Sequence, residues 1–242
     1  GSVRVPGDKS ISHRALLLNA LATGRARVEG LLESADVQST AACLRALGVQ
    51  IEKDGSDLWV HGRSAVLAAP DRTLDCGNSG TTMRLLCGVL AGQDFESHLV
   101  GDESLQGRPM GRVTVPLRQM GAVIDGRDGG RLAPLRVRGG QLRGGRIESP
   151  HASAQVRSAL LLAGMQADGI TTVRQPSGSR DHTERMLAAM GARVVTHPGT
   201  PFQVEIEGGQ RLQSIDISVP GDVASAAFFM VAAAASSGSD VL

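Results

Sequence analysis

The sequence contains no tyrosine, one tryptophan and four phenylalanines, so aromatics make up only 2% of its 242 residues. A core built from it is aliphatic, and the stacking side chains that single-strand binders use are missing. An excess of one charge is missing too: 25 Lys and Arg stand against 24 Asp and Glu, a net charge of +1. That argues against a nucleic-acid surface, which brings a basic stripe, and any bound anion must then be caught by local charge. The three cysteines, Cys43, Cys76 and Cys87, are odd in number and lack C-x-x-C spacing. They read as buried thiols in a reducing compartment, the cytoplasm, or a plastid had a leader been removed. No signal peptide is visible, and without an initiator Met a removed leader stays open. The longest apolar run, Val223 to Ala235, is shorter than the ~20 residues that cross a bilayer. The six histidines, of which His182 is the least readily placed, show no H-E-x-x-H spacing, so no metal is expected.

What is present is a repeat. Segments that start polar, turn apolar and close on glycine occur at 8–24, 77–92, 152–169 and 221–238, with closing glycines 68, 77 and 69 residues apart. A second series ends in Leu-x-x-Leu/Met-Gly before a β-like run: CLRALGVQIE, PLRQMGAVID and MLAAMGARVV, its glycines Gly48, Gly121 and Gly191 spaced 73 and 70. Two interleaved series with one period indicate a true repeat of about 70 residues. Each unit reads as strand, helix, strand, helix, then one or two strands. The β-like segments are Arg27–Glu29, Leu58–His61, Glu96–Val100, Arg136–Arg138, Thr171–Arg174 and Gln203–Glu207. Helices of the first series are apolar over most of their circumference, which predicts burial.

Their first turns carry the chemistry. In VPGDKSISHRALLLNALATG, Lys9, Ser10 and Arg14 lie within about one and a half turns, at ~3.6 residues per turn, beside amides with no partner inside the helix. Such a start holds phosphate well; a solvated cap with incidental charges is the plainer alternative. The other starts offer Asn78, Ser79, Thr81 and Arg84, and Ser153 and Gln155. If the repeats are related by rotation, these termini share one region and their dipoles favour an anion there.

Five motifs in order, PGDKSISHRALLLNAL, DCGNSGTTMRLL, GDESLQGRPM, SAQVRSALLLAG and SRDHTERML, resemble those of the enolpyruvyl transferases, specifically the 5-enolpyruvylshikimate-3-phosphate synthases. The match runs on through PGDVASAAFFMVAAAA to the end of the sequence. The resemblance implies an α/β (α+β) fold in which a lobe holds three β-α-β-α-β-β units with buried parallel helices and outer mixed sheets. It assigns residues 1–8 to a strand of a second lobe or hinge, 9–215 to the three-repeat lobe and 216–242 to the start of a second lobe. Members of the family have two such lobes, so roughly two-fifths of the family's length has no counterpart here.

The reaction implied is transfer of the enolpyruvyl group of phosphoenolpyruvate to the 5-hydroxyl of shikimate 3-phosphate, by addition and then elimination of phosphate, without cofactor. By the resemblance, Lys9 touches both substrates, and Ser10 and Arg14 hold shikimate 3-phosphate. Gly80 lets the backbone approach phosphoenolpyruvate, since only a residue without a side chain allows that, and Arg108 binds the same ligand. Ser153, Ala154 and Gln155 hold the shikimate phosphate, Ala154 by its backbone where many relatives carry serine, and Arg180 adds a further contact. The proton-shuttling carboxylates have no match in these residues. Glyphosate is the expected inhibitor, and a complementing C-terminal fragment the expected protein partner.

Other residues read as structural: Arg84 as a hydrogen-bonder behind the Gly80 turn, Arg157 and Arg185 as surface positions, Cys43 and Cys87 as core, and Gly139–Gly145 as a turn. Two alternatives remain: a non-catalytic anion-binding fragment, and the transferase acting on UDP-N-acetylglucosamine. The latter usually places a cysteine near the arginine of its phosphoenolpyruvate loop, whereas Glu103–Arg108 has none.

Overall fold

The computed structural model describes residues 2–239; residue 1 and residues 240–242, the outer ends of the two terminal segments, lie outside the described residues. The first repeat holds α1 (Lys9–Leu21), β1 (Arg25–Glu29), α2 (Ala35–Ala46), β2 (Gln50–Asp54) and β3 (Asp57–His61). The second holds β4 (Leu74–Asp75), α3 (Gly80–Leu90), β5 (Glu96–Val100), the single turn α4 (Glu103–Gln106), α5 (Gly111–Gln119), β6 (Val123–Gly126), the short α6 (Arg127–Gly130) and β7 (Leu132–Arg138). The third holds β8 (Arg146–Glu148), α7 (Ala154–Gly164), β9 (Ile170–Gln175), α8 (His182–Ala189), β10 (Val194–His197) and β11 (Phe202–Glu207). Then come β12 (Ile217–Ser218) and α9 (Val223–Ala234).

Each repeat builds its own four-stranded sheet, ordered β12-β1-β3-β2, β4-β5-β7-β6 and β8-β9-β11-β10. The leading pair is parallel in every sheet and the remaining pairs are antiparallel. Among the described residues the first repeat has no leading strand of its own; β12 returns after the third and supplies it, Val28 facing Ile217 and Glu29 facing Ser218. The three-repeat unit therefore runs to Ser218, past the boundary expected at 215. The strand expected at 1–8 is also absent from residues 2–6. Instead Gly7 bridges Gly221, and the Asp8 amide donates to the Pro220 carbonyl at 2.8 Å.

The helix starts form where the polar-to-apolar step placed them. Asp8 caps α1, its carboxylate accepting from the Ile11 amide at 2.8 Å, and Ser79 and Ser153 cap α3 and α7. Such caps contribute about 1 kcal/mol each. α1 is buried all round from Ser12 to Leu21, and α3 and α7 nearly so, with each fully buried leucine contributing about 1.5–3 kcal/mol. The sheets cover them from outside, presenting alternate residues such as Ala133, Leu135 and Val137 inward. α3 and α7 run parallel: Gln155 bonds Thr81 at their starts, and Gln166 bonds the Val89 carbonyl at their ends.

The second glycine series closes α2, α5 and α8 in one way. Gly48, Gly121 and Gly191 all take positive φ. The amide after each, in Val49, Ala122 and Ala192, donates back to Leu44, Leu117 and Leu187 at 3.0, 3.1 and 2.9 Å, the six-to-one bond of a Schellman ending. In the first series Gly24, Gly169 and Gly238 share positive φ but Gly92 does not; there the glycine is required by crowding, because a Cβ would sit 2.6 Å from that of Gln166. Gly139–Gly145 forms an irregular extended link between the second and third sheets, not a turn, with Arg143 bridging Asp168. α9 has no buried residue, and Phe228, Phe229, Met230 and Val231 are exposed.

Candidate functional site

The starts of α1, α3 and α7 are laced into a ring by side chains of their first two turns, helped by Thr40 of α2 and Thr183 of α8. Between α1 and α3 runs a buried chain: His13 Nδ1 to Thr40 Oγ1 at 2.7 Å, Thr40 Oγ1 to Thr82 Oγ1 at 2.6 Å, and the Thr82 hydroxyl donating to Ser79 Oγ at 2.7 Å. Between α3 and α7, Gln155 donates to Thr81 Oγ1 at 3.0 Å and accepts from Arg84 Nη1 at 2.7 Å. Between α7 and α1, Arg14 Nη2 donates to Ser158 Oγ at 2.8 Å and its Nε to Thr183 Oγ1 of α8 at 2.6 Å. Three helix N-termini thus converge on one end of the molecule, the arrangement that favours a negative charge there.

Each residue singled out in the sequence lies on this end. Lys9 is half exposed and pairs with Asp36 in the first turn of α2. Ser10 accepts from Arg14 Nη1 through its carbonyl at 3.0 Å. Gly80 is buried, and a Cβ added to it would meet Arg84 Nη1 at 3.0 Å and Arg108 Nη1 at 3.7 Å. Arg108 is anchored on Asn78, by its carbonyl at 3.2 Å and its side-chain oxygen, and on Ser104 Oγ at 3.2 Å. Ser153 caps α7, the Ala154 carbonyl accepts from Ser158 at 2.6 Å, and Gln155 spans to α3. Arg180 is exposed on the connection into α8.

Two placements differ from expectation. Arg14, expected to reach a ligand, is 4% exposed and occupied by Thr183, Ser158 and Ser10. Its polar partners are all neutral. Burial pushes its pKa down to about 10, against the pull of Glu184 and with help from the charge of Arg157. Arg157, expected on the surface, is 0% exposed and pairs with Glu184. Near the ring, then, two buried guanidiniums share one buried carboxylate, a local surplus of positive charge. Around Gly80 the same holds. The Arg84 pKa is lowered by burial and then by the charges of Arg108 and Arg112, Arg112 being a cation the sequence reading did not single out. Arg84 itself is a hydrogen-bonder behind the turn, as expected, reaching Gln155 and the Pro109 carbonyl.

His13 has a measurable consequence. Burial, then the charge of Lys9, lowers its pKa from 6.5 to about 4, with Asp36 opposing and Arg14 reinforcing the shift, and its Nε2 has no partner among the described residues. A depressed histidine binds fewer protons folded than unfolded between those two values. Stability should therefore be whole above pH 6.5 and fall towards pH 4, by up to about 3 kcal/mol from this group. Denaturant melts of the parent and His13→Gln across that window check it; parallel losses in both proteins would refute the assignment.

Among the described residues no helix is long and apolar enough to cross a membrane. All three cysteines are buried, and burial pushes the Cys87 thiol up to about 12.

Comparison with known proteins gives one answer. The family model described as EPSP synthase (3-phosphoshikimate 1-carboxyvinyltransferase) matches residues 1–242. A 3-phosphoshikimate 1-carboxyvinyltransferase of Bacillus velezensis is 54% identical over 243 residues, covering 100% of this chain and 56% of that protein. That of Geobacillus kaustophilus is 57% identical over 235 residues, covering 97% and 54%. The solved EPSP synthase of Acinetobacter baumannii superposes with a TM-score of 0.91 at 46% identity, covering 97% of this chain and 53% of that one. The chain spans a little over half the length of these relatives. A match over the whole sequence, with the same three-repeat architecture behind it, places the chain in the EPSP synthase family.

Proposed function

We propose that these residues form the shikimate-3-phosphate half of a 3-phosphoshikimate 1-carboxyvinyltransferase, a cytoplasmic enzyme of aromatic amino-acid biosynthesis. The observation that carries the reading is the ring of three helix starts around a local surplus of guanidinium charge. In the addition, the 5-hydroxyl oxygen of shikimate 3-phosphate bonds to C2 of phosphoenolpyruvate while a proton goes to C3; in the elimination, C2 loses phosphate and C3 returns a proton. Both substrates bring phosphate and carboxylate, so cations must offset their mutual repulsion.

Lys9 exchanges Asp36 for the ligands, and Ser10, the Ser153–Gln155 turn and Arg180 receive shikimate 3-phosphate. Arg14 supplies its charge from below, through Ser10 and Ser158. Phosphoenolpyruvate, or glyphosate in its place, lies over the bare Gly80 backbone against Arg108. Residues 2–8 and 219–239, on either side of the sheet-forming β12, are proposed as the two crossings into a second lobe, which an additional C-terminal polypeptide would supply together with the acid and base groups. The exposed apolar face of α9 supports that assignment.

The test is calorimetry of the 242-residue chain with shikimate 3-phosphate, with and without phosphoenolpyruvate, followed by a turnover assay. Binding without turnover is expected. Losing a charge-assisted hydrogen bond to phosphate costs about 1.5–3 kcal/mol, so Lys9→Ala should weaken binding at least ten-fold. Arg185→Ala, at an exposed position of α8, should leave it unchanged. Equal losses, or no binding by the parent, would remove the proposal; turnover at a rate typical of an intact enzyme would refute the half-site reading.

A further inference from the structure

α7 is apolar on nearly every side, yet its first turn ends in Arg157, whose guanidinium is wholly buried. Its Nε donates to Glu184 of α8. Its Nη1 donates to Gln175 Oε1 at 2.8 Å and to Ser179 Oγ at 2.7 Å, and its Nη2 to the Arg180 carbonyl at 2.8 Å and the Ser179 carbonyl at 3.4 Å. The ring of Phe202 lies 5.0 Å from it. A buried ion pair is rarely worth more than an apolar pair of the same shape, so stability alone is a poor account of this cluster.

The partners suggest a different one. Ser179 and Arg180 belong to the irregular connection between β9 and α8. Gln175, besides accepting from Arg157, donates to the Ser153 carbonyl at 3.1 Å, and Ser153 is the cap of α7. One guanidinium thereby holds two separate stretches of backbone: the turn carrying Ser153, Ala154 and Gln155, and the connection carrying Arg180. Neither stretch is fixed by sheet pairing. Thr183, three residues past Arg180, bonds both Arg14 Nε and Ser158 Oγ at 2.6 Å, so the second stretch does lie against the ring.

We propose that Arg157 is a positioning residue for the shikimate-3-phosphate site, clamping the Arg180 connection to the start of α7 so that both present their contacts to one ligand. The proposal rests on the functional reading above. Lysine cannot replace it. An ammonium can still pair with Glu184, but as a single point of charge it cannot span Gln175, Ser179 and the Arg180 carbonyl together.

The experiment uses the 242-residue chain and Arg157→Lys, which keeps the buried charges balanced. It compares melting temperature, calorimetric affinity for shikimate 3-phosphate and hydrogen exchange of the amides of residues 178–182. The expected result is a folded protein whose affinity is at least ten-fold weaker and whose 178–182 amides exchange faster. Affinity within two-fold of the parent overturns the proposal. So does lost affinity with unchanged exchange, which would mean that the effect does not pass through the 178–182 connection. Should Arg157→Lys fail to fold, Gln175→Leu breaks only the link to the Ser153 turn, and parental affinity there overturns the proposal equally. Failure of the functional reading looks different: the parent itself does not bind, or Lys9→Ala binds as the parent does. In that case the exchange of residues 178–182 in Arg157→Lys still decides whether the clamp exists.

Discussion

Replacing Glu184 by glutamine should cost about 3–5 kcal/mol of folding stability, the usual result of removing one partner of a buried ion pair. The glutamine keeps the shape and can still accept from Arg157 Nε, so the loss isolates charge. Glu184 is 5% exposed and is the carboxylate paired with Arg157. It also steadies Arg14, whose other close partners are two hydroxyls and a carbonyl. Without it two guanidiniums remain buried with no carboxylate between them, Arg14 keeping only the weaker pull of the partly exposed Asp8. At about 2–4 °C per kcal/mol for a chain of this size, the melting temperature should drop by roughly 10 °C. A loss below about 1 kcal/mol would mean that water or another group already neutralises the cluster. Anions should partly rescue the variant, since a phosphate held at the ring would supply the missing negative charge.

Gly88→Ala should also destabilise, against what helix propensity alone dictates. Alanine in a helix interior normally gains about 1 kcal/mol over glycine. Gly88 lies in α3 where the backbone of α7 crosses, and a Cβ there would stand 2.7 Å from the Ala159 carbonyl carbon and 2.8 Å from its Cα. Those atoms are main chain in a buried helix and have no rotamer to change. α3 and α7 must part, and overpacking of this kind costs about 1–3 kcal/mol, occasionally more. The two effects have opposite signs, so a urea melt decides between them: a higher midpoint would show that the crossing is looser than the structure has it. Because Gln155 joins the two helices through Thr81 and Arg84, parting them should also weaken anion binding at their starts.

How much of this was legible beforehand depends on range. Capping residues and closing glycines are local, and α1, α3 and α7 begin and end close to where those residues placed them. The Leu-x-x-Leu/Met-Gly series carried its geometry in its spelling, since the leucine four places before each glycine is the acceptor of the returning amide. Arg157 is buried, whereas the sequence suggests a surface position in a helix that itself reads as buried. A helix apolar on all sides has no solvent face on which to put an arginine, and that inconsistency was the available signal. β12 was out of reach, because two residues of strand have no periodicity and its partner lies some 190 residues away. The His13–Thr40–Thr82–Ser79 chain was likewise hidden, being assembled from three helices by tertiary packing. Within the candidate site the residue types and their common end were readable. Which cations stand at the rim and which beneath it depends on burial, and burial of a charge is settled by partners far off in the sequence.

The returning strand makes the three repeats a closed ring with no natural first member. The strand that opens each of the other two sheets precedes its helix in the chain, whereas the first sheet borrows its opener from the far end, leaving residues 7 and 221 side by side. Such an architecture is cyclic in everything but its covalent bond. A circular permutant that joins those two neighbours and is cut between the first and second repeats would have the same sheets, the same helix ring and the same anion-facing end.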